Sequence, residues 1–255
     1  MEELLRREMI RVSHALHARG WVANHDGNVS ARLEGGRLLC TPTAVSKGAV
    51  TPESLIVVDA AGQVIAGSRR PFSELRLHRV AYEARPDVAV VLHAHPPTAT
   101  GFAVAGIPLG PPFMAEPVVS LGEEVPLVPH GLVGDPALDQ ALAGALSAAD
   151  AVMLAGHGVL TVGPDLETAL LRMELVEHLC RIALVARQVG GPRPLPRADV
   201  DRLLEQRKKA GLGPSSTPAP GPSPEWSAPS GPSVGPGELQ SMVNEALRRL
   251  GAAGR

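Results

Sequence analysis

The sequence predicts a layered α/β domain, because apolar runs with helical spacing alternate along the chain with short β-rich runs bounded by Gly-containing turns. A second observation is the core material: 44% of the 255 residues are hydrophobic, while Phe, Trp and Tyr number only 3, 2 and 1. The core must therefore be built from Val, Leu, Ile and Ala, and the chain is long enough for one substantial domain. A third is where the alternation stops, since past Gly190 charged sequence and then Pro/Ser/Gly-rich sequence take over.

Leu5, Met9, Val12 and Leu16 recur three or four apart over 4–19, which predicts an amphipathic helix ended near Gly20. Segments 29–33, 37–41 and 55–59 follow, separated by turns such as Glu34-Gly35-Gly36 and Ala61-Gly62, and read as successive antiparallel strands. A helix is expected over 73–85. The continuous apolar run 87–93 (DVAVVLH) is short enough for a buried strand. Helices near 98–105, 136–148 and 165–189, with strands at 124–128 and 151–155, complete the domain at 1–190. Beyond it come a charged helical extension (191–212), a Pro/Ser/Gly-rich linker (213–237) and an amphipathic helix in 238–255, whose Leu239, Met242, Val243, Ala246, Leu247 and Leu250 share one face.

The net charge of -2 provides no global basic field for nucleic acid or an anionic membrane, and the scarce aromatics leave no platform for stacked bases. No apolar run approaches the roughly 20 residues that span a bilayer, and the N-terminal stretch alternates charged with apolar residues, so a soluble, cytoplasmic protein is expected. Cys40 and Cys180 have no Cys partner at metal-binding spacing and read as buried small apolar groups.

Chemistry concentrates at two strand ends. His93 and His95 are two apart, so strand alternation points both imidazoles to one face, where one metal can take both. His157, in Ala155-Gly156-His157-Gly158, leaves another apolar strand between glycines that allow close approach. Three neutral imidazoles with an open fourth position suit catalytic zinc; the competing reading of His-x-His is an ordinary strand-end pair. His14, His17, His25, His130 and His178 read as surface or satisfied core residues. His78, one helical turn after Glu74, is placed to orient it.

Glu74 opens a predicted helix, where a carboxylate serves either catalysis or helix capping. Gly27-Asn28-Val29-Ser30 and Thr41-Pro42-Thr43-Ala44 offer Gly-opened backbone, an amide and hydroxyls, the donors that hold a phosphate without a large positive field. Lys47 reads as a solvated lysine.

The ordered set GNVS (27–30), TPT (41–43), SELRLH (73–78), HAH (93–95) and GHG (156–158) resembles the class II aldolase/adducin family, and within it the bacterial fuculose-1-phosphate aldolases, over roughly residues 1–190. The resemblance implies a three-layer αβα fold with a mostly antiparallel central sheet, and a homotetramer with sites near subunit contacts. It also implies Zn2+ on His93, His95 and His157, Glu74 as the acid/base, and Asn28, Thr43, Ala44 and Ser73 around the substrate phosphate. The expected reaction is zinc-dependent cleavage of a ketose 1-phosphate to dihydroxyacetone phosphate and a short aldehyde. Alternatives are a related zinc-dependent sugar-phosphate dehydratase, decarboxylase or 4-epimerase, or a non-catalytic adducin-like binding domain, against which the intact histidines and Glu74 argue. Three positions depart from the aldolase pattern: Phe72 stands for a serine, Ala44 for a glycine, and the only tyrosine, Tyr82, lies outside the segment where a proton-donating tyrosine is expected, near Phe113. The tail 213–255 resembles the encapsulation peptides that dock enzymes on bacterial microcompartment shells or cargo.

Overall fold

Strands β1 (Asn28–Arg32), β2 (Leu38–Cys40), β3 (Ile56–Val58), β4 (Val64–Ala66), β5 (Val90–Ala94), β6 (Leu127–Val128), β7 (Ala151–Leu154) and β8 (Gly158–Gly163) form one sheet in the computed structural model, which describes residues 2–214. Their order is β4-β3-β2-β1-β5-β8-β7-β6, antiparallel throughout except for the pairing of β6 with β7. The readings made for the terminal helix, and for all but the first two residues of the linker, lie outside the described residues.

Helices cover both faces. Strand alternation sends Val29, Ala31 and Leu92 to one apolar cluster shared with α1 (Glu2–Ala18), α3 (Pro97–Val104) and α6 (Leu166–Gln188). Val91, Leu160 and Val162 face the other cluster, packed on α2 (Leu75–Ala84) and α5 (Pro136–Leu146). This is the three-layer arrangement with a mostly antiparallel sheet that the sequence led us to expect. The described residues include no helix long and apolar enough to cross a membrane.

Several elements differ from their sequence reading. The strand expected at 124–128 pairs only at Leu127 and Val128, on the sheet edge. The helix expected over 73–85 begins at Leu75, leaving Glu74 at its N-cap. β4 is an exposed edge strand without a buried side to mark it. α4 (Ala115–Leu121) is short and carries Pro117, which breaks its pattern. β8 escaped notice because only the tight turn at Gly156 and His157 separates it from β7, leaving two strands written as nearly one run.

α7 (Arg197–Lys209) is anchored through a buried charge cluster. Asp150 is fully buried and accepts from Arg85 at 2.9 Å, from Arg172 at 2.8 Å and from Arg207 of α7. The Arg207 guanidinium also donates to the Val119 carbonyl of α4 at 2.8 Å. Removing one partner from a buried ionic group leaves the others uncompensated, typically at a cost of about 3–5 kcal/mol. Asp150→Ala is therefore expected to lower the unfolding free energy by at least about 3 kcal/mol. Urea denaturation of the purified variant measures this directly, and a loss below about 1 kcal/mol would show that the cluster contributes little.

Candidate metal centre

His93 lies in β5, fully buried in the middle of the sheet, and pairs across β1 with Asn28 and across β8 with Leu160. His95 follows just past the strand end, its backbone N–H donating to the Trp21 carbonyl at 2.8 Å. His157 sits in the β7–β8 turn, which Gly156 makes possible by adopting φ +69°. One ring nitrogen from each of the three histidines lies within 4.8 Å of the others, so they form a group able to hold a metal ion.

The proton positions follow from the partners. His93 Nδ1 lies 2.9 Å from the Val159 carbonyl, and His95 Nδ1 lies 2.9 Å from Asp26 Oδ2. A carbonyl and a carboxylate can only accept, so both Nδ1 atoms carry hydrogen. Both Nε2 atoms then present lone pairs, and these face each other at 3.0 Å. A shared cation resolves that repulsion. Burial pushes the His93 imidazole down to about 4, which keeps it a neutral ligand near pH 7. The donor set therefore fits a divalent metal of the zinc type.

Gly158 makes the approach of the rings possible. A Cβ there would lie 2.4 Å from His95 Cδ2 and 2.8 Å from the Ala94 carbonyl oxygen, so no larger residue fits without moving β5. Gly27, at φ +66°, is equally confined, with Val22 Cγ1 2.4 Å from where its Cβ would be.

Glu74 reaches the histidines from the N-cap of α2 without capping the helix, since its side chain accepts no bond from the helix backbone. Its Oε1 lies 2.8 Å from His157 Nε2 and its Oε2 3.6 Å from His93 Nε2. Asn28 Nδ2 donates to Oε2 at 2.6 Å. Burial works to raise the Glu74 pKa, but the His157 hydrogen bond, the His93 ring and the Asn28 amide outweigh it and hold the carboxylate well below its usual range. Glu74 is consequently ionised at neutral pH.

The segments read as a phosphate cradle also converge. An isolated bridge joins Pro42 to Pro71, and Thr43 N–H donates to the Arg70 carbonyl at 3.1 Å, which brings Thr43 and Ala44 beside the stretch leading to Ser73. Ala44 holds φ +56°, the left-handed conformation that the glycine of the family pattern would adopt freely. Ser73 and Ala44 are exposed. Asn28 stands differently, with its amide turned to Glu74.

Asp26 escaped the sequence reading, and Lys47 stands differently from it. Asp26 orients His95, and its signal was its place directly before Gly27-Asn28. Lys47 is 1% exposed and not solvated: its ammonium donates to the Val45 carbonyl at 3.0 Å and the His25 carbonyl at 3.4 Å. Burial pushes its pKa down to about 8, opposed by Asp26 and Glu74 nearby. Of the other histidines, His14 Nε2 lies 2.9 Å from the Val50 carbonyl and His130 Nδ1 3.2 Å from the Ala155 carbonyl.

Residues 7–184 match the model of the class II aldolase and adducin N-terminal domain. The chain is 31% identical to 3-oxo-tetronate 4-phosphate decarboxylase of Escherichia coli O6:H1 over 211 residues, which cover 81% of this chain and 97% of that one. It is 30% identical to the 5-methylthioribulose-1-phosphate/5-deoxyribulose-1-phosphate aldolase of Rhodospirillum rubrum over 207 residues, covering 81% and 92%. A solved L-fuculose 1-phosphate aldolase superposes with a TM-score of 0.72 at 27% identity, covering 80% of this chain and 96% of that one. With its sheet, its histidine group and its matched span in agreement, the chain belongs to the class II aldolase and adducin N-terminal domain family, as a lyase-type enzyme of that superfamily.

Proposed function

We propose that the chain is a zinc-dependent lyase that breaks a carbon–carbon bond one atom away from the carbonyl of a small phosphorylated sugar, with retro-aldol cleavage of a ketose 1-phosphate as the leading reaction. The observation that carries this reading is an ionised carboxylate, Glu74, held 2.8 Å from one histidine of a three-imidazole group and tethered on its other oxygen by Asn28. Zinc bound by His93, His95 and His157 supplies Lewis-acid polarisation of a substrate carbonyl.

The protein's own groups do the rest. Asp26 and the Val159 carbonyl fix the tautomers of His95 and His93. Thr43, Ala44 and Ser73 hold the phosphate, as the bridge between their segments allows. In the retro-aldol direction the C3–C4 bond breaks, its electron pair forms a C2–C3 double bond while the C2 carbonyl pair moves onto oxygen, and the C4 hydroxyl proton passes through water to the ionised Glu74 carboxylate as the aldehyde forms. Glu74 then gives that proton to C3 as the C2 carbonyl reforms, leaving dihydroxyacetone phosphate.

One observation favours a second reaction on the same residues. Tyr82, the only tyrosine, is 5% exposed and bonded to Ser30 at 2.9 Å, with burial pushing its pKa above the phenol range. It is no proton carrier for a departing aldehyde. Decarboxylation of a phosphorylated 3-oxo acid has no such requirement: the C1–C2 bond breaks, carbon dioxide leaves, the bond's electron pair forms a C2–C3 double bond as the C3 carbonyl pair moves onto oxygen, and C2 receives a proton taken up from water. Similarity to a 3-oxo-tetronate 4-phosphate decarboxylase supports this second reading. Homotetrameric assembly and docking on a microcompartment shell through 238–255 belong to the same proposal, and are addressed by sedimentation and by a reporter fused to 238–255.

The purified protein is expected to carry about one zinc per chain, read by elemental analysis. His95→Ala and His157→Ala should release it, and His14→Gln should not. Asp26→Asn is expected to weaken zinc affinity by roughly 10–100-fold in chelator competition. Gly158→Ala should also impair binding, because the added methyl meets the Ala94 backbone and the His95 ring. Protein without divalent metal, and without activity when metal is supplied, would overturn the proposal.

Glu74→Gln should keep fold and metal yet lose most turnover, as an amide cannot accept the proton. Retention of wild-type kcat would remove Glu74 from the chemistry. Incubation with a panel of ketose 1-phosphates and 3-oxo-acid phosphates, with trapping of aldehyde and of carbon dioxide, separates the two reactions.

A further inference from the structure

We infer that a polar zipper between β1 and α2, made by Ser30, Arg32, His78 and Tyr82, positions Glu74 at the metal centre by fixing how far α2 can slide along the sheet. The inference rests on the proposed role of Glu74 and adds residues that touch neither substrate nor metal.

The zipper is a match of two periods. Alternate residues of β1 point to the same face, so Asn28, Ser30 and Arg32 all face α2, at intervals of about 6.6 Å. Residues four apart on a helix advance about 6 Å and stay on nearly one line, which applies to Glu74, His78 and Tyr82. The two ladders meet rung by rung. Asn28 Nδ2 donates to Glu74 Oε2 at 2.6 Å, Ser30 Oγ lies 2.7 Å from His78 Nδ1 and 2.9 Å from Tyr82 Oη, and Arg32 Nη2 donates to the Tyr82 carbonyl at 2.7 Å. The Arg32 guanidinium also lies 4.5 Å from the centre of the Tyr82 ring, and its Nε donates to the Val88 carbonyl at 2.8 Å.

These rungs do what the surrounding apolar contacts cannot. Aliphatic side chains such as Leu38, Ile56 and Val91 attract without direction, so they hold α2 on the sheet but select its register less sharply than hydrogen bonds do; Arg76 ties α2 to Asp139 of α5 at 2.6 Å, and the zipper ties it to β1. Ser30 and His78 are fully buried, and breaking a rung would leave a polar atom unpaired away from water. The penalty fixes the register. Glu74 needs that help because it lies at the helix end with no cap bond of its own, where a helix is least constrained. A misplacement near 1 Å can cost roughly a hundredfold in rate.

Four single variants in the full-length protein test the inference. Ser30→Ala and His78→Leu are expected to lower kcat by roughly ten- to a hundredfold, with KM and zinc content within twofold of wild type. His78→Asn, which places an amide where Nδ1 was, should recover most of the loss. Tyr82→Phe keeps the ring against Arg32 and removes only the hydroxyl, and should lower kcat by about threefold or more should Ser30→Ala prove too unstable to purify. In a Glu74→Asp background, where the carboxylate is already displaced by one methylene, Ser30→Ala should cost less than threefold, a non-additivity that a purely structural role would not produce. A lowered Tm with wild-type kcat, or the same fractional loss in both backgrounds, would overturn the inference. Failure of the underlying functional reading looks different, since Glu74→Gln itself would then turn over at the wild-type rate.

Discussion

Two imidazole lone pairs facing each other at 3.0 Å are the constraint on which the centre of this molecule is organised. Neither ring can turn away. His93 is held through Nδ1 by the Val159 carbonyl of the neighbouring strand, and His95 by Asp26 from the loop before β1. The fold thus holds two imidazole nitrogens where one cation can take both, so the geometry of a metal site is set by their partners. The sheet supports His93 from both sides.

The antiparallel centre of the sheet explains how residues far apart in sequence meet. β5 lies between β1 and β8, so Asn28, His93 and Leu160 fall in one row across three strands. The turn feeding β8 brings His157 to that row's end, and Gly158 leaves room for the rings. α2 then has one task at the site, delivering Glu74 onto a platform already made. Its polar contacts with β1 lie within a layer that is mostly aliphatic, with Phe72 packed 4.9 Å from the His78 ring, and the scarcity of aromatics leaves few other large rigid side chains to fix helix positions.

Much of this was legible in the sequence where local chemistry declared itself. Alternation was enough to put His93 and His95 on one face, and His157 joined them through its glycine-flanked place at another strand end together with the family resemblance. Asp26 was not legible, since a carboxylate in a loop has no periodicity and acquires meaning only when β5 folds beside it. Lys47 misled for a related reason: a lone lysine is ordinarily solvated, and its burial depends on carbonyls supplied by His25 and Val45. His78 was recognised as a neighbour of Glu74, yet its contact is with Ser30, across the interface from its own helix. The strands missed are an edge strand with no buried side and one hidden behind a turn too tight to interrupt an apolar run.

The same site geometry accommodates retro-aldol cleavage and decarboxylation because both leave an electron pair on carbon beside a polarised carbonyl. What separates them is the proton on the departing side. An aldehyde leaves from a hydroxyl that must be deprotonated, whereas carbon dioxide leaves from a carboxylate that is already ionised. Glu74 serves the carbon in either case. The chain's one phenol is committed to the strand–helix zipper through Ser30, so the group that decides the reaction must come from elsewhere around the pocket. Lys47 is a charge the sequence left unexplained: its buried ammonium donates to the Val45 and His25 carbonyls, and burial pushes its pKa down to about 8 against the opposing pull of Asp26 and Glu74. Its positive charge offsets part of the negative charge at the site, which lowers the cost of bringing an anionic phosphate beside Glu74.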